Sequence, residues 1–116
     1  MGRPVKGRPR LKLWVVFGED VKFGEGRAEL LETMERLGSF KQAVERMGMS
    51  YRAAWGYFRE LERAAGLTLL ERRPGRGPGG GTRLTPEGRL FVRRYRRFRQ
   101  GLDPLVARHF EQSFRD

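Results

Sequence analysis

The stretch Ser50-Tyr51-Arg52-Ala53-Ala54-Trp55-Gly56, followed by Arg59, concentrates side chains suited to reading a nucleic acid. The guanidinium of Arg52 is a planar fork of donors that matches the O6 and N7 acceptors of guanine. Tyr51 can donate to a phosphate or a base, and Trp55 can lie against thymine methyls or sugars. The Ser50 hydroxyl can cap a helix and, at the positive end of that helix, meet a phosphate. The structural alternative for Tyr51 and Trp55 is ordinary core packing, because aromatics in a small domain are mostly buried. Both lie off the apolar stripe of their helix, which favours the outward reading.

A second cluster surrounds PGRGPGGG, Pro74 to Gly81. Arg72, Arg73, Arg76 and Arg83 supply charge, while Gly77 and its neighbours let backbone approach a polyanion closely and offer amides to phosphate. A floppy surface loop is the plainer alternative. The third cluster is Lys6-Gly7-Arg8-Pro9-Arg10. An extended Arg-Pro segment can lie along a narrow A·T minor groove through Arg8 and Arg10, or bind phosphates without sequence preference. The second reading is favoured, since five residues of basic low complexity arise readily by chance.

Other chemistries find no support. With no Cys and one His, disulfides, thiolate catalysis, Cys-ligated zinc or iron–sulfur sites and multi-His metal sites are excluded. No paired carboxylates sit in an apolar setting and no nucleophile stands near a His, so His109 reads as a solvated surface residue and the chain as a non-enzyme. Gly75, Gly80 and Thr82 fall at the spacing of a phosphate-binding loop, but Gly81 occupies the essential Lys position and no helix follows Thr82. No cofactor or metal is expected. The longest apolar run, Leu13 to Phe17, is too short to span a bilayer or form a signal peptide. A soluble, cytoplasmic, nucleoid-associated protein is expected, with no membrane partner.

The charge sharpens this. The 116 residues carry 25 Lys+Arg against 14 Asp+Glu, a net +11. Arg3, Lys6, Arg8, Arg10 and Lys12 give residues 1–12 a charge of +5, and ten arginines against Glu87 give residues 72–99 a charge of +9. The remainder is slightly acidic, so the positive field is an arm and one later region. Arginines on a solvated face are the alternative, and the helical ones at 89–99 cannot all point one way.

The elements that must position these residues follow from periodicity. Residues 1–10 read as a flexible basic arm and 11–116 as one domain. Leu11 to Phe17 reads as a strand, with Val21 to Phe23 pairing back. Leu30, Leu31, Met34 and Leu37 mark a helix over 27–37 that Gly38 stops. Ser39 opens a second, short helix with a capping-box pattern, ended by Gly48. Ser50 caps a third helix with the stripe Ala54, Phe58, Leu61 and Ala65, ended by Gly66. Leu67 to Arg73 and Thr82 to Leu84 flank the Gly-rich loop as strands. Thr85-Pro86-Glu87 starts the last helix, in which Phe91, Tyr95, Phe98 and Leu102 form a seam, Pro104 interrupts and Asp103 caps a restart. The fold class is mainly α with a small β wing: a winged helix-turn-helix with a long C-terminal dimerisation helix. In that motif the N-terminal residues of the second helix enter the major groove.

GSFKQAVERMGMSYRAAWGYFRELERAAG, then LTLLERRPGRGPGGGTRLTPEG, closely resembles the N-terminal DNA-binding domain of molybdate-dependent transcriptional regulators of the ModE type. More distantly it is similar to that of LysR-type regulators. The resemblance covers roughly residues 12–100 and rests on Ser-Tyr-Arg-x-Ala-Trp, the Gly-rich wing and Leu84-Thr85-Pro86-Glu87-Gly88. It implies dimerisation through flanking helices and sequence-specific binding to a palindromic operator, with contacts carried by Ser50, Tyr51, Arg52, Trp55 and the wing arginines. Full-length members continue into an oxyanion-binding domain. This sequence stops at Asp116, so molybdate sensing is not expected of it.

The expected function is a dimeric, sequence-specific transcriptional regulator of double-stranded DNA. Ser50, Tyr51, Arg52, Trp55, Gly56 and Arg59 would read it, with wing and arm adding affinity and Phe91, Tyr95, Phe98 and Leu102 forming the dimer seam, helped by Leu13 and Trp14. A separate sensor protein is a further expected partner in one version of this reading. The alternative is a non-specific architectural, chromatin-like binder, which the charge alone would suit.

Overall fold

In the computed structural model residues 2–74 and 81–114 are described. They run β1 (Val15–Phe17), β2 (Val21–Phe23), α1 (Glu25–Leu37), α2 (Phe40–Arg46), α3 (Tyr51–Ala65), β3 (Leu70–Arg73), β4 (Gly81–Leu84) and α4 (Pro86–Phe114). Helix boundaries sit where caps and glycines put them. Ser39 accepts from the Gln42 amide at 3.1 Å, and Ser50 from the Ala53 amide at 3.3 Å. Gly38 and Gly66 take the left-handed backbone that closes α1 and α3. The tight step from α2 to α3 is the turn of a helix-turn-helix.

One core serves all the helices. Leu30, Leu31 and Met34 of α1, Phe40, Ala43 and Val44 of α2, and Ala54, Phe58 and Leu61 of α3 are buried together with Leu69, Leu70 and Leu84 of the wing base. The β1–β2 hairpin, paired Val15 to Phe23, closes one side. Phe23 meets Phe91 and Tyr95 of α4 edge-on, with centroids 4.8 and 5.2 Å apart. Arg96 then clamps α4 to α1, reaching Glu25 at 2.6 Å and gripping both oxygens of Glu32. Those two carboxylates hold its protonated form more firmly than usual.

Three expectations are corrected. The first strand begins at Val15 rather than Leu11, because the Leu11 and Leu13 carbonyls accept from Arg99 and Tyr95 of α4, not from a strand. The wing strand begins at Leu70 rather than Leu67, because the amides of Thr68, Leu69 and Leu70 go to carboxylates of Glu87 and Glu62. Pro104 does not interrupt α4, which runs 29 residues through it. Gln100, whose carbonyl Pro104 deprives of its usual amide donor, is exposed, so water can serve that carbonyl. Asp103 pairs with Arg99 one turn back instead of capping a restart.

Tyr57, half-buried on α3, ties the recognition helix to the hairpin by donating to the Lys22 carbonyl, with the Arg27 guanidinium 4.8 Å from its ring. Burial pushes its pKa from 10.0 to about 12, against the pull of Arg27. A raised pKa means that the fold favours the neutral phenol. Its stabilisation is complete below pH 10 and is lost as pH rises through about 12. Denaturant unfolding as a function of pH should therefore show stability falling above about pH 10, and Tyr57→Phe should flatten that decline. Tyr95, also raised by burial, leaves a residual slope. Identical alkaline slopes in both proteins would contradict the assignment.

Candidate nucleic-acid interface

Helix α3 is amphipathic in a way that leaves one strip unused by the core. Ala54, Phe58 and Leu61 face inward. Arg52, Gly56 and Arg59 face outward, and a Cβ on Gly56 would meet nothing within 4 Å. Between these faces lies an aromatic shelf built on Phe40 of α2. Tyr51, 43% exposed, and Trp55, half-buried, both meet the Phe40 ring edge-on at 5.5 and 5.9 Å. Core packing and outward presentation therefore coexist in Trp55. Its ring carries the Arg59 guanidinium at 4.4 Å and that of Arg72, from the wing, at 5.1 Å.

Register explains why Arg72 arrives there. In the β3–β4 ladder Leu70 opposes Leu84 and Arg72 opposes Thr82. Alternation puts these four on one face, and the buried Leu70, Thr82 and Leu84 turn that face toward the core. Arg73 and Arg83 take the other face. Arg73 pairs with Glu71 at 3.0 Å, and the half-buried Arg83 lines a small cavity with Met34, Glu35 and Arg89. The wing arginines are thus split: Arg72 joins α3, while Arg73 and Arg83 sit by the end of α1. Arg76 and Gly77 lie outside the described residues.

The arm takes an unexpected course. Residues 2–14 run back along α4, with the Val5 amide donating to the Phe114 carbonyl at 3.0 Å and Arg99 donating to the Leu11 carbonyl at 2.9 Å. Arg10 lines a groove with Leu11, Trp14, Arg99 and Val106, not with the α3 shelf. Arg8 is exposed beside it in sequence. Helix α4 spends much of its charge internally: Arg89 reaches Glu35 at 3.6 Å, Arg96 holds Glu25 and Glu32, and Arg99 pairs with Asp103. Arg93, Arg94 and Arg97 remain exposed.

The expected dimer seam needs revision. Tyr95 is 5% exposed, packed on Phe23 and donating to the Leu13 carbonyl, and Phe91 is half-buried against Phe17 and Phe23. Both belong to the domain's own core because the β1–β2 hairpin covers that part of α4. Phe98, 52% exposed, and the half-buried Leu102 remain, with Trp14 at 58% beyond them.

Glu62 carried no motif, and Thr85 and Gly88 were read only as a helix start, yet all three organise the site. Glu62, its side chain 10% exposed, accepts from Arg59 at 3.0 Å and from the Leu69 and Leu70 amides at 2.8 and 3.0 Å. Thr85 caps α4 through the Gly88 amide at 2.8 Å while donating to the Thr68 carbonyl. A Cβ at Gly88 would come within 2.6 Å of the Leu69 carbonyl oxygen, so only glycine allows this approach. The Thr-Pro-Glu-Gly sequence signalled the helix start, but nothing local signalled that Glu87 binds the Thr68 amide.

Known proteins share this sequence pattern and fold. Molybdenum-pterin-binding protein MopB of Rhodobacter capsulatus is 32% identical over 92 residues, which cover 79% of this chain and 34% of that protein. Molybdenum transport protein ModE of Azotobacter vinelandii is 38% identical over 86 residues, 71% of this chain and 32% of the relative. The chain spans about a third of the length of these relatives. A crystal structure of Vibrio fischeri DarR in complex with DNA shares the fold at a TM-score of 0.54 and 24% identity, over 77% of this chain and 29% of that one. The sequence profile of bacterial regulatory helix-turn-helix proteins of the lysR family matches residues 27–89. That match covers more than half of the sequence and spans α1 through the start of α4, and the chain belongs to this family.

Proposed function

We propose that this chain is a sequence-specific DNA-binding transcriptional regulator that works as a homodimer. The observation that carries the reading is the outward strip of α3. Arg52 and Gly56 are not used by the core, and Gly56 sits mid-helix where glycine costs about 1 kcal/mol relative to alanine. Nothing inside the domain needs that missing Cβ, so the clearance serves an approaching surface. Arg52 supplies the base-reading fork, and Arg59, Arg72 and the loop around Arg76 supply phosphate contacts. The arm and the exposed Arg93, Arg94 and Arg97 add salt-dependent affinity. For the dimer, the exposed apolar side chains of Phe98 and Leu105 on α4 supply surface that water disfavours. The molybdenum named for the relatives belongs to proteins of which the match covers a third, and a sensing domain or partner is a separate component of this proposal.

In vitro selection of duplexes tests the reading directly. A palindromic consensus whose affinity exceeds that of random duplex by three orders of magnitude or more fits a regulator. Equal affinities identify an architectural binder instead. Arg52→Ala should relax preference at one base position by about 1–3 kcal/mol, whereas Arg76→Ala should weaken all duplexes alike and lower the salt slope by about 1. Gly56→Ala should raise the melting temperature and yet weaken DNA binding; a variant that is both more stable and equally tight would remove the clearance argument. Sedimentation at micromolar concentration should give a dimer that Phe98→Glu converts to monomer, and a monomeric wild type would end the dimer claim.

A further inference from the structure

We propose that Trp55 is a positioning residue that fixes the wing to the recognition helix by seating one arginine from each, so that a neutral side chain controls how much of the wing's charge reaches DNA. This rests on the reading of α3 as a recognition helix and assigns a role that the base-contact reading of Trp55 does not contain. Three observations carry it. Arg59 and Arg72 lie over the same indole, at 4.4 and 5.1 Å, although 13 residues separate them. Arg59 is anchored a second time by Glu62, whose other oxygen holds the Leu69 and Leu70 amides at the start of the wing. The indole is itself anchored, its ring meeting the buried Phe40 edge-on.

The physical consequence follows from what a guanidinium needs. A free Arg on a short ladder explores many rotamers and loses that freedom when it binds phosphate. Held over an aromatic face, the guanidinium is confined near one position while donors stay available, and the ordering cost is met in the free protein. Two guanidiniums seated on one indole also repel. They stay together there because the ring attracts both and Glu62 neutralises one, and a phosphate brought to the pair supplies the missing anion. The shelf is therefore an incomplete electrostatic site that the DNA backbone completes.

The test is a salt titration of DNA affinity on the full chain, with a selected duplex. Arg72→Ala should lower the slope of log K against log salt by about 0.9, the value for one lost phosphate contact on B-DNA. Trp55→Leu removes no charge, yet should lower the slope by a similar amount. The double variant should bind no more weakly than the weaker single, and Trp55→Phe should restore most of the slope. Thermal melting separates this from loss of fold. Should Trp55→Leu fold poorly, Arg72→Lys keeps the charge on a surface position but loses the planar stack, and should bind severalfold more weakly than wild type. The proposal is overturned by Trp55→Leu weakening binding with an unchanged slope, by additive losses in the double variant, or by Arg72→Lys binding as wild type. A wild-type chain that binds no duplex overturns the functional reading as well. Binding with any of those three results overturns only the role given to Trp55.

Discussion

A single nearly buried carboxylate sets the relation between helix α3 and the base of the wing. Glu62 stands near the end of α3 and accepts from three donors: the Arg59 guanidinium and the amides of Leu69 and Leu70. Those amides belong to the chain just after the Gly66 stop, where neither helix nor ladder provides a carbonyl. Buried amides without acceptors cost about 1–3 kcal/mol each, and charge-assisted bonds are the stronger kind that repays ordering. With Glu62 in place the wing cannot swing relative to α3 without breaking several bonds together.

The same joint is held from the opposite side by α4. Thr85 and Gly88 bring the start of that helix onto the carbonyls of Thr68 and Leu69, and Glu87 takes the Thr68 amide. The chain between α3 and β3 is thus fastened by two acidic side chains from two helices. Leu69 and Leu70 are buried between them and complete the core beneath the wing. Arg96 extends the arrangement, since its grip on Glu25 and Glu32 fixes α4 against α1. Helix α3, the base of the wing and the first half of α4 are consequently tied to one small core.

The helices were legible in the sequence because their signals are local. Ser39, Ser50 and Thr85 cap where they were read to cap, Gly38 and Gly66 stop where they were read to stop, and the stripe Ala54, Phe58, Leu61 is buried. What local pattern could not convey is competition between distant partners. Leu11 to Trp14 has strand composition, but Tyr95 and Arg99, more than eighty residues away, claim its carbonyls. Phe91 and Tyr95 have the spacing of an intermolecular seam, yet Phe23 reaches them first. The wing arginines read as one set, and only the ladder register separates Arg72 from Arg73 and Arg83. Pro104 read as a break, because propensity counts the lost bond and not the solvent that can replace it.

The excess charge divides in the same way. Sequence blocks of +5 and +9 locate the excess charge along the chain, yet charge in a block is not charge on a face. Of the later block, Arg73, Arg89, Arg96 and Arg99 have acidic partners within the domain, and the Arg96 pairs with Glu25 and Glu32 join α4 to α1. Arg72 is seated on Trp55, and Arg93, Arg94 and Arg97 are exposed on α4. The charge of a sequence block therefore overstates the field that block offers a polyanion, because its acidic partners lie elsewhere in the sequence. Arg52, in a region that contributes little to the total, stands exposed on the outward strip of α3 with Gly56. A chain built this way separates two uses of arginine: Arg96, paired with Glu25 and Glu32, fixes the geometry, and Arg52, Arg93, Arg94 and Arg97 are presented outward by it.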